Sequence, residues 1–326
     1  MGSYFIRKKM KEFYTYEQQL SKLREDGLTI TNETEAIVSL QSEGYYNIIK
    51  GYSFIFKKST KFDKGITFDH ILALYDFDKK LRNIVYNYTT SIECHIKALI
   101  AHEFSKIHGV DEKIYLTPSA FAVNKDNIEN INHLITKCKE VIFSALDKNS
   151  NNYRQYIAHN KMKYDIVPLW VLIRALSFGT TSIFYKYMLP DEQKSIANIY
   201  KVMPKNLANM LEVVVSFRNI VAHGERTFCA KLPKTRLSTN LNLIRKLAIE
   251  KNKKNDNKYG RNDFLALIIC FKYLLSPIEF SAFMVEFEIA LDMLSKTISG
   301  TNLSYIKNLM GLKNNSWKNL NKIKIE

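Results

Sequence analysis

Glycine and proline are scarce in this chain, which has 11 Gly and 6 Pro among 326 residues. Tight turns between short strands usually use one of these two residues, so their scarcity disfavours a sandwich or barrel of many strands. Hydrophobic residues make up 46% of the chain and charged residues 25%, as in ordinary globular proteins. This length allows one large domain or two smaller ones. We therefore predict an all-α fold built from long helices.

Cysteine is also rare, and the four cysteines form no C-x-x-C pair. Neither a zinc site nor a disulfide framework is indicated, which is typical of proteins in a reducing cytoplasm. The basic segment Met1–Met10 is not followed by the apolar stretch of a secretory signal. The most apolar stretches, 264–271 and 273–285, are shorter than the ~20 residues of a membrane span. We expect a soluble, cytoplasmic protein with no membrane partner.

Acidic residues are outnumbered by basic ones, 32 to 48, which gives a net charge of +16. Such an excess suggests a polyanionic partner, such as nucleic acid or an acidic membrane surface. Lysines outnumber arginines 38 to 10, and a nucleotide-biased genome would also produce this excess. Residues 229–261 contain ten basic and two acidic residues, a net charge of +8. The candidate RNA contacts in and beside this segment are Lys231, Lys234, Arg236, Lys251, Lys253, Lys254, Lys258 and Arg261.

Helical patterns cover most of the chain. They predict helices over 16–26, 32–43, 67–108 (as one helix or two in line), 127–146, 168–178, 191–202, 204–224, 263–275 and 277–299. Gly179 is the predicted C-terminal stop of the helix over 168–178. We divide the chain into an N-terminal helical lobe (1–66), a helical domain (67–300) and a basic Asn-rich tail (301–326). Within the domain, 251–262 reads as a solvated loop whose Tyr259 is available to stack on a base. No hairpin signature is evident.

The helix predicted over 204–224 carries the most informative side chains. Pro204 fits its first position and Gly224 fits the position just past its end. At roughly 100° per residue, the buried stripe of this helix consists of Leu207, Met210, Leu211, Val214 and Val221. Arg218 falls within that stripe, whereas Asn219 and His223 lie together on a neighbouring face.

An arginine on an apolar face requires an explanation, because its guanidinium cannot lose its charge and is costly to bury unpaired. It must meet a carboxylate, a set of carbonyl groups or an external anion. One interpretation is structural: Arg218 pairs with Glu93 or Asp78 on the long helix, and His223 only ends its own helix. The other is functional: Arg218 awaits a phosphate group. The helix geometry leaves both open.

The segment Arg218–His223 has the form R-N-x-x-x-H and resembles the signature of the HEPN-superfamily ribonucleases. Further segments, in order and spacing, resemble the Abi-like proteins of bacterial abortive infection, in the AbiD/AbiF group. These segments are Tyr16–Leu20, Gly44–Tyr46, Gly51-Tyr52, Tyr75–Asp78, Leu81-Arg82, Glu93, Pro168–Trp170 and Leu176–Gly179. The resemblance extends over 13–295. One departure is Arg174, where we expect an acidic residue in many relatives.

The resemblance implies an all-α, HEPN-like helical bundle with an N-terminal lobe and additional C-terminal helices. It also implies an antiphage, toxin-like endoribonuclease that uses no metal or other cofactor. Two R-N-x-x-x-H motifs would pair in a homodimer and leave 2′,3′-cyclic phosphate ends on the RNA. The candidate catalytic residues are Arg218, Asn219 and His223, and the candidate structural or supporting residues are Asp78, Arg82, Glu93 and Trp170.

The chemistry of metal-free RNA cleavage fits these residue types. Attack by a 2′-hydroxyl on the phosphorus needs a base, an acid for the leaving 5′-oxygen and a cation for the developing charge. His223 is the candidate acid or base, because an imidazole exchanges protons near neutral pH. Arg218 would hold the phosphate, and Asn219 would orient the ring or the substrate.

Two alternatives remain. The first is an RNA-binding HEPN module that grips a small non-coding RNA encoded nearby and cleaves little or not at all. The second is the HEPN partner of a nucleotidyltransferase, for which this chain contains no transferase motif.

Overall fold

The computed structural model describes residues 12–238, 241–247, 249–251, 257–313 and 315–325. Its α-helices are α1 (Tyr16–Glu25), α2 (Glu33–Glu43), α3 (Phe68–His108), α4 (Glu112–Tyr115), α5 (Ile128–Leu146), α6 (Gln155–Tyr164), α7 (Leu169–Leu172), α8 (Phe178–Tyr187), α9 (Pro190–Ile199), α10 (Pro204–Ala222), α11 (Asn242–Lys246), α12 (Phe264–Leu274), α13 (Pro277–Thr297) and α14 (Gly300–Leu309). A π-helix spans Tyr46–Lys50, and 3-10 helices span Ser53–Phe56, Pro118–Ala120 and Asn315–Lys322. The prediction of an all-α fold is confirmed.

Local sequence explains where several helices begin. The hydroxyl of Thr15 accepts a hydrogen bond from the Gln18 backbone N–H, and the Gln18 side chain accepts one from the Thr15 N–H, which caps α1. The Asp263 carboxylate accepts from the Ala266 N–H and caps α12. Pro204 occupies the first position of α10, where its missing N–H costs nothing. Each cap satisfies a backbone group that the helix itself leaves unpaired.

The prediction for 168–178 is wrong. The helix that starts after Pro168 ends at Leu172, and a new helix, α8, begins at Phe178. The reason is a cap: the Ser177 hydroxyl accepts a hydrogen bond from the Thr180 N–H at 3.1 Å. Gly179 therefore lies in the first turn of α8 and does not terminate a helix. By contrast, α3 is one continuous helix of 41 residues.

Three further expectations need correction. The C-terminal segment expected to be a tail contains α14 and a 3-10 helix, whose Trp317 is only 2% exposed. Tyr259 in the expected loop is buried, so its ring face is not available to a base. A short antiparallel hairpin also forms, from β1 (Lys57–Lys58) and β2 (Lys61–Phe62). Trp317 is buried by a contact with the distant Phe287, whereas the hairpin pairs residues that are only three to five positions apart.

The chain forms two compact units. One contains the residues up to Lys80 together with Ala290–Ile306. In it, α1 packs on α2, and the buried Asp78 carboxylate accepts a hydrogen bond from the Tyr52 hydroxyl at 2.7 Å. Glu43 accepts a hydrogen bond from the Tyr75 hydroxyl and one from the Lys79 ammonium.

The other unit contains Leu81–Ile289 and Lys307–Glu326. Helix α10 lies at its centre and packs against α8, α9 and α12. Aromatic rings fill the core around α12 and α13, where the ring of Phe287 contacts those of Phe264, Phe283 and Trp317. Part of α3 packs beside α13, where the Tyr88 hydroxyl donates to Glu286 at 2.8 Å.

In the described ranges, no helix has the length and apolar character needed to cross a bilayer.

Asp263 lies where the start of α12 meets the C-terminal segment, whose Met310 carbonyl accepts a hydrogen bond from the Leu265 N–H at 3.0 Å. Its carboxylate, 1% exposed, accepts hydrogen bonds from the Gly260 N–H and lies 3.1 Å from the Lys231 ammonium. Gly311 has a φ of +82°, and a Cβ atom there would lie 2.8 Å from Asp263 Oδ2. The position therefore requires glycine both for its backbone conformation and for its space.

We predict that Gly311→Ala lowers the free energy of unfolding by about 3 kcal/mol, because it adds steric overlap to left-handed backbone strain. The matched control is Gly109→Ala, where φ is +79° and no atom lies within 4 Å of the added Cβ. It should cost only about 1 kcal/mol. Urea denaturation of both variants measures the difference, and equal losses would contradict the steric argument.

A buried carboxyl group faces a histidine where α3 ends. Glu192 in α9 has no exposed surface, and its Oε1 lies 2.9 Å from His108 Nε2. Desolvation raises the pKa of Glu192 to about 7 and lowers the pKa of His108. The other carboxylate oxygen of Glu192 accepts the Leu189 N–H and caps α9.

The raised pKa of Glu192 makes stability depend on pH. Between pH 4.5 and about 7 the folded state holds a proton on Glu192 that the unfolded state has lost, so this group destabilises the fold as the pH rises. Glu192→Gln keeps the capping oxygen and removes the charge. We expect the variant to gain stability relative to the wild type from pH 5 to pH 8, by on the order of 2 kcal/mol. Urea denaturation at each pH measures the free energy of unfolding of both proteins. If the two free energies changed with pH in the same way, this prediction would be wrong.

Candidate active site

The end of α10 is closed by a glycine turn. His223 follows the last helical residue, and Gly224 has a φ of +68°. The Gly224 N–H donates to the Val221 carbonyl at 3.2 Å, and the Glu225 N–H donates to the Ile220 carbonyl at 3.0 Å. This pair of bonds is a Schellman motif, which terminates a helix at a left-handed residue. The helix end predicted from Gly224 is therefore confirmed, and the motif fixes the backbone that carries His223.

Arg218 lies at the edge of the core. Its neighbour Phe217 is fully buried, whereas the Arg218 side chain keeps 31% of its surface exposed. The Arg218 Nε atom is buried and has no hydrogen-bond partner among the described residues. Its Nη2 atom lies 3.9 Å from Glu93 Oε2, which is close enough for an ion pair but too far for a hydrogen bond. The Arg218 guanidinium therefore has N–H groups that form no hydrogen bond with the described residues.

Glu93 is held by a second cation. The Lys97 ammonium donates to Glu93 Oε1 at 2.7 Å and also to the Leu176 carbonyl at 2.7 Å. Both side chains are 13% exposed. The carboxylate beside Arg218 is thus bound more closely to Lys97 than to Arg218. Lys97 is not among the residues predicted from sequence, although its position four residues after Glu93 on a helix is a recognisable signal for an ion pair.

Asn219 and His223 are both exposed. They are four residues apart, about one helical turn, and the His223 N–H donates to the Asn219 carbonyl at 3.0 Å. The helix end thus combines a cation, an amide and an imidazole within one and a half turns, with the amide and the imidazole open to solvent. Residues of these types suit the binding of a phosphate group and the transfer of protons to and from neighbouring hydroxyl groups.

The remaining supporting candidates lie in different surroundings. Asp78 is buried against Tyr52 in the first unit, and Arg82 is partly buried on α3. Trp170 on α7 is 45% exposed, which is unusual for so large an aromatic side chain. Of the carboxylates weighed as partners for Arg218, Glu93 is the one beside it.

The basic segment is partly neutralised within the fold. Lys231 pairs with Asp263, and Lys258 pairs with Glu250 at 3.2 Å. Lys234, Arg236 and Lys251 are exposed, and Arg261 is partly buried. Lys253 and Lys254 lie outside the described residues. The charge of this segment therefore overstates the number of cations available to a ligand.

Comparison with known families gives one match. The family model described as Abi-like protein matches residues 39–229, more than half of the chain, and the chain belongs to this family. The match includes α10 and the turn after it. No curated protein and no solved structure matches the chain. Membership of this family suggests an abortive-infection-type function.

A double-mutant cycle tests whether Glu93 is a structural partner of Arg218. We predict a coupling energy below about 0.5 kcal/mol between Glu93→Gln and Arg218→Ala, because the groups are partly exposed and share no hydrogen bond. The matched cycle, Glu93→Gln with Lys97→Ala, should give a larger coupling, about 1–2 kcal/mol. Urea denaturation supplies all the values. A larger coupling to Arg218 than to Lys97 would make Arg218 a structural residue.

Proposed function

We propose that this protein is a metal-independent endoribonuclease of a bacterial abortive-infection system, of the HEPN type and the AbiD/AbiF group. The observation that carries the proposal is the end of α10, where the partly exposed Arg218 guanidinium has no hydrogen bond to the described residues and lies on the same helix end as the exposed side chains of Asn219 and His223. The non-bridging oxygens of a phosphate diester would accept hydrogen bonds from this guanidinium. RNA also supplies its own nucleophile, the 2′-hydroxyl, so the protein needs to provide only proton transfer and charge stabilisation.

In the proposed reaction, the ribose 2′-oxygen attacks the adjacent phosphorus and a base removes the 2′-hydroxyl proton. The bond from phosphorus to the 5′-oxygen breaks, and an acid supplies a proton to that oxygen. The products are a 2′,3′-cyclic phosphate and a free 5′-hydroxyl. Arg218 binds the non-bridging phosphoryl oxygens as their charge grows, and Asn219 orients the substrate or the ring of His223.

One copy of the motif contributes one imidazole, whereas the reaction uses a base and an acid. A homodimer that brings two copies of the end of α10 together supplies both. His223 of one copy acts as the base, and the same residue of the second copy acts as the acid. Exposure of His223 is compatible with this arrangement, because the second copy must be able to reach it.

The basic segment provides the electrostatic attraction for RNA in this proposal. Lys234, Arg236 and Lys251 are exposed and follow the end of α10 in the chain. Contacts of this kind bind the phosphate backbone without reading its sequence, and they weaken as salt is added.

The alternative is an RNA-binding HEPN module, which holds a small non-coding RNA without cutting it. The specific observation in its favour is the Glu93 carboxylate, 3.9 Å from the Arg218 guanidinium. If Glu93 closes on Arg218, it neutralises the charge that would otherwise stabilise the transition state. Such a protein would bind RNA tightly and leave it intact.

Incubation of the purified protein with total RNA in EDTA separates the two functions. We expect fragments that end in 2′,3′-cyclic phosphate, and a loss of at least about a hundredfold in rate for His223→Ala and for Arg218→Ala. The matched controls are His159→Ala and Arg154→Ala, which replace exposed residues elsewhere in the same unit. Intact RNA with a tight gel shift would favour the binding module. Equal activity in the His223→Ala variant would refute the proposed site.

A further inference from the structure

A groove of about 830 Å³ lies between α3 and α7. Its floor is one face of α3, where Ala98, Ala101 and Ser105 recur at helical spacing and leave space because their side chains are small. Trp170 and Ile173 form the opposite wall. The groove thus presents a largely apolar surface with room for a whole nucleotide.

The polar groups of the groove favour an anion. The cationic side chains that line it are Lys97, Lys106 and Arg174, and no acidic side chain is among the described residues that line it. Lys97 is paired with Glu93 at 2.7 Å, and the Lys106 ammonium lies 4.0 Å from Glu103. Arg174 is therefore the lining cation that has no carboxylate partner among the described residues. The Arg174 guanidinium lies over the ring of Tyr156, 4.8 Å from its centre, a contact that leaves its N–H donors available. The Ser105 hydroxyl is buried and has no hydrogen-bond partner in the described part of the chain.

The groove is connected to the candidate active site through Lys97. This residue lines the groove, and its ammonium holds the Glu93 carboxylate that lies beside Arg218. The Lys97–Glu93 pair therefore has the groove on one side and the Arg218 guanidinium on the other.

We infer that this groove binds one unpaired nucleotide of a single-stranded RNA substrate, with its base against Trp170 and a phosphate held by Arg174 and Lys106. The inference rests on the proposed function and adds to it the part of the chain that positions the strand. An unpaired base is required, because a base inside a duplex cannot expose its face to a side chain. Arg174 thus gains a role in place of the acidic residue expected at this position.

A second copy of this chain is a less suitable occupant. The groove is lined by cations, and a chain with a net charge of +16 would bring further positive charge to it. RNA brings the opposite charge together with a ring that can stack.

Tryptophan fluorescence gives a direct test, because the chain contains two tryptophans and Trp317 is only 2% exposed. The probe is a short single-stranded RNA without secondary structure, added to the full-length protein with His223→Ala to prevent cleavage. With Trp317→Phe as a further change, we expect saturable quenching of Trp170. With Trp170→Phe instead, the remaining fluorescence should stay unchanged.

Affinity measurements complete the test. Trp170→Ala and Arg174→Ala should each weaken RNA binding by about tenfold, whereas Phe143→Ala, which removes another exposed aromatic residue, should not. Free ATP that binds and quenches as strongly as RNA would overturn the inference in favour of a nucleotide site. Variants that bind RNA normally but shift the dimer to monomers would overturn it in favour of a subunit interface.

These outcomes are distinguishable from failure of the proposed function. Quenching and weakened binding without any cleavage by the wild type would support the groove and reject the nuclease. Cleavage by the wild type with an unchanged KM in Trp170→Ala and Arg174→Ala would support the nuclease and reject the groove.

Discussion

The candidate site depends on one guanidinium group that is partly buried and cannot lose its charge. Arg218 follows a fully buried phenylalanine on α10, so the helix holds its side chain at the edge of the core. The nearest carboxylate, Glu93, is bound to Lys97 and approaches Arg218 without a hydrogen bond. The Arg218 Nε atom is buried and has no hydrogen-bond partner among the described residues, which is costly for the fold. The side chain as a whole is still 31% exposed, so an anion from outside can reach the rest of the guanidinium and stabilise its charge. The Schellman turn at Gly224 then fixes His223 beside the same end of the helix.

The parts of the fold that could be predicted from sequence are those with local causes. Pro204 and Gly224 affect only the helical turn in which each lies, and they predict the start and the end of α10 correctly. Gly179 misled the prediction because the Ser177 cap outweighs the low helical propensity of glycine in a first turn. The polar neighbours of Tyr259 in sequence predict an exposed ring, whereas the folded chain buries it.

The candidate site shows the same division. The spacing of Arg218, Asn219 and His223 is visible in the sequence, and so is the choice between Glu93 and Asp78 as partners. That Lys97 holds Glu93 depends partly on the Leu176 carbonyl, which comes from a turn about 80 residues further along the chain. The groove likewise forms only where α3 and α7 come together in the fold. The sequence of either helix by itself does not predict it. The net charge of the segment 229–261 also exceeds the number of its free cations, because Asp263 and Glu250 bind some of them.

The central claim is that the end of α10 cleaves RNA by activating the RNA's own 2′-hydroxyl. The most direct measurement compares two RNA substrates that differ by a single 2′-deoxyribose on the 5′ side of the cleaved bond. The account predicts that this change abolishes cleavage at that bond while the affinity of the protein for the RNA stays the same. Cleavage of both substrates at the same rate would contradict it, because the nucleophile would then have to come from elsewhere.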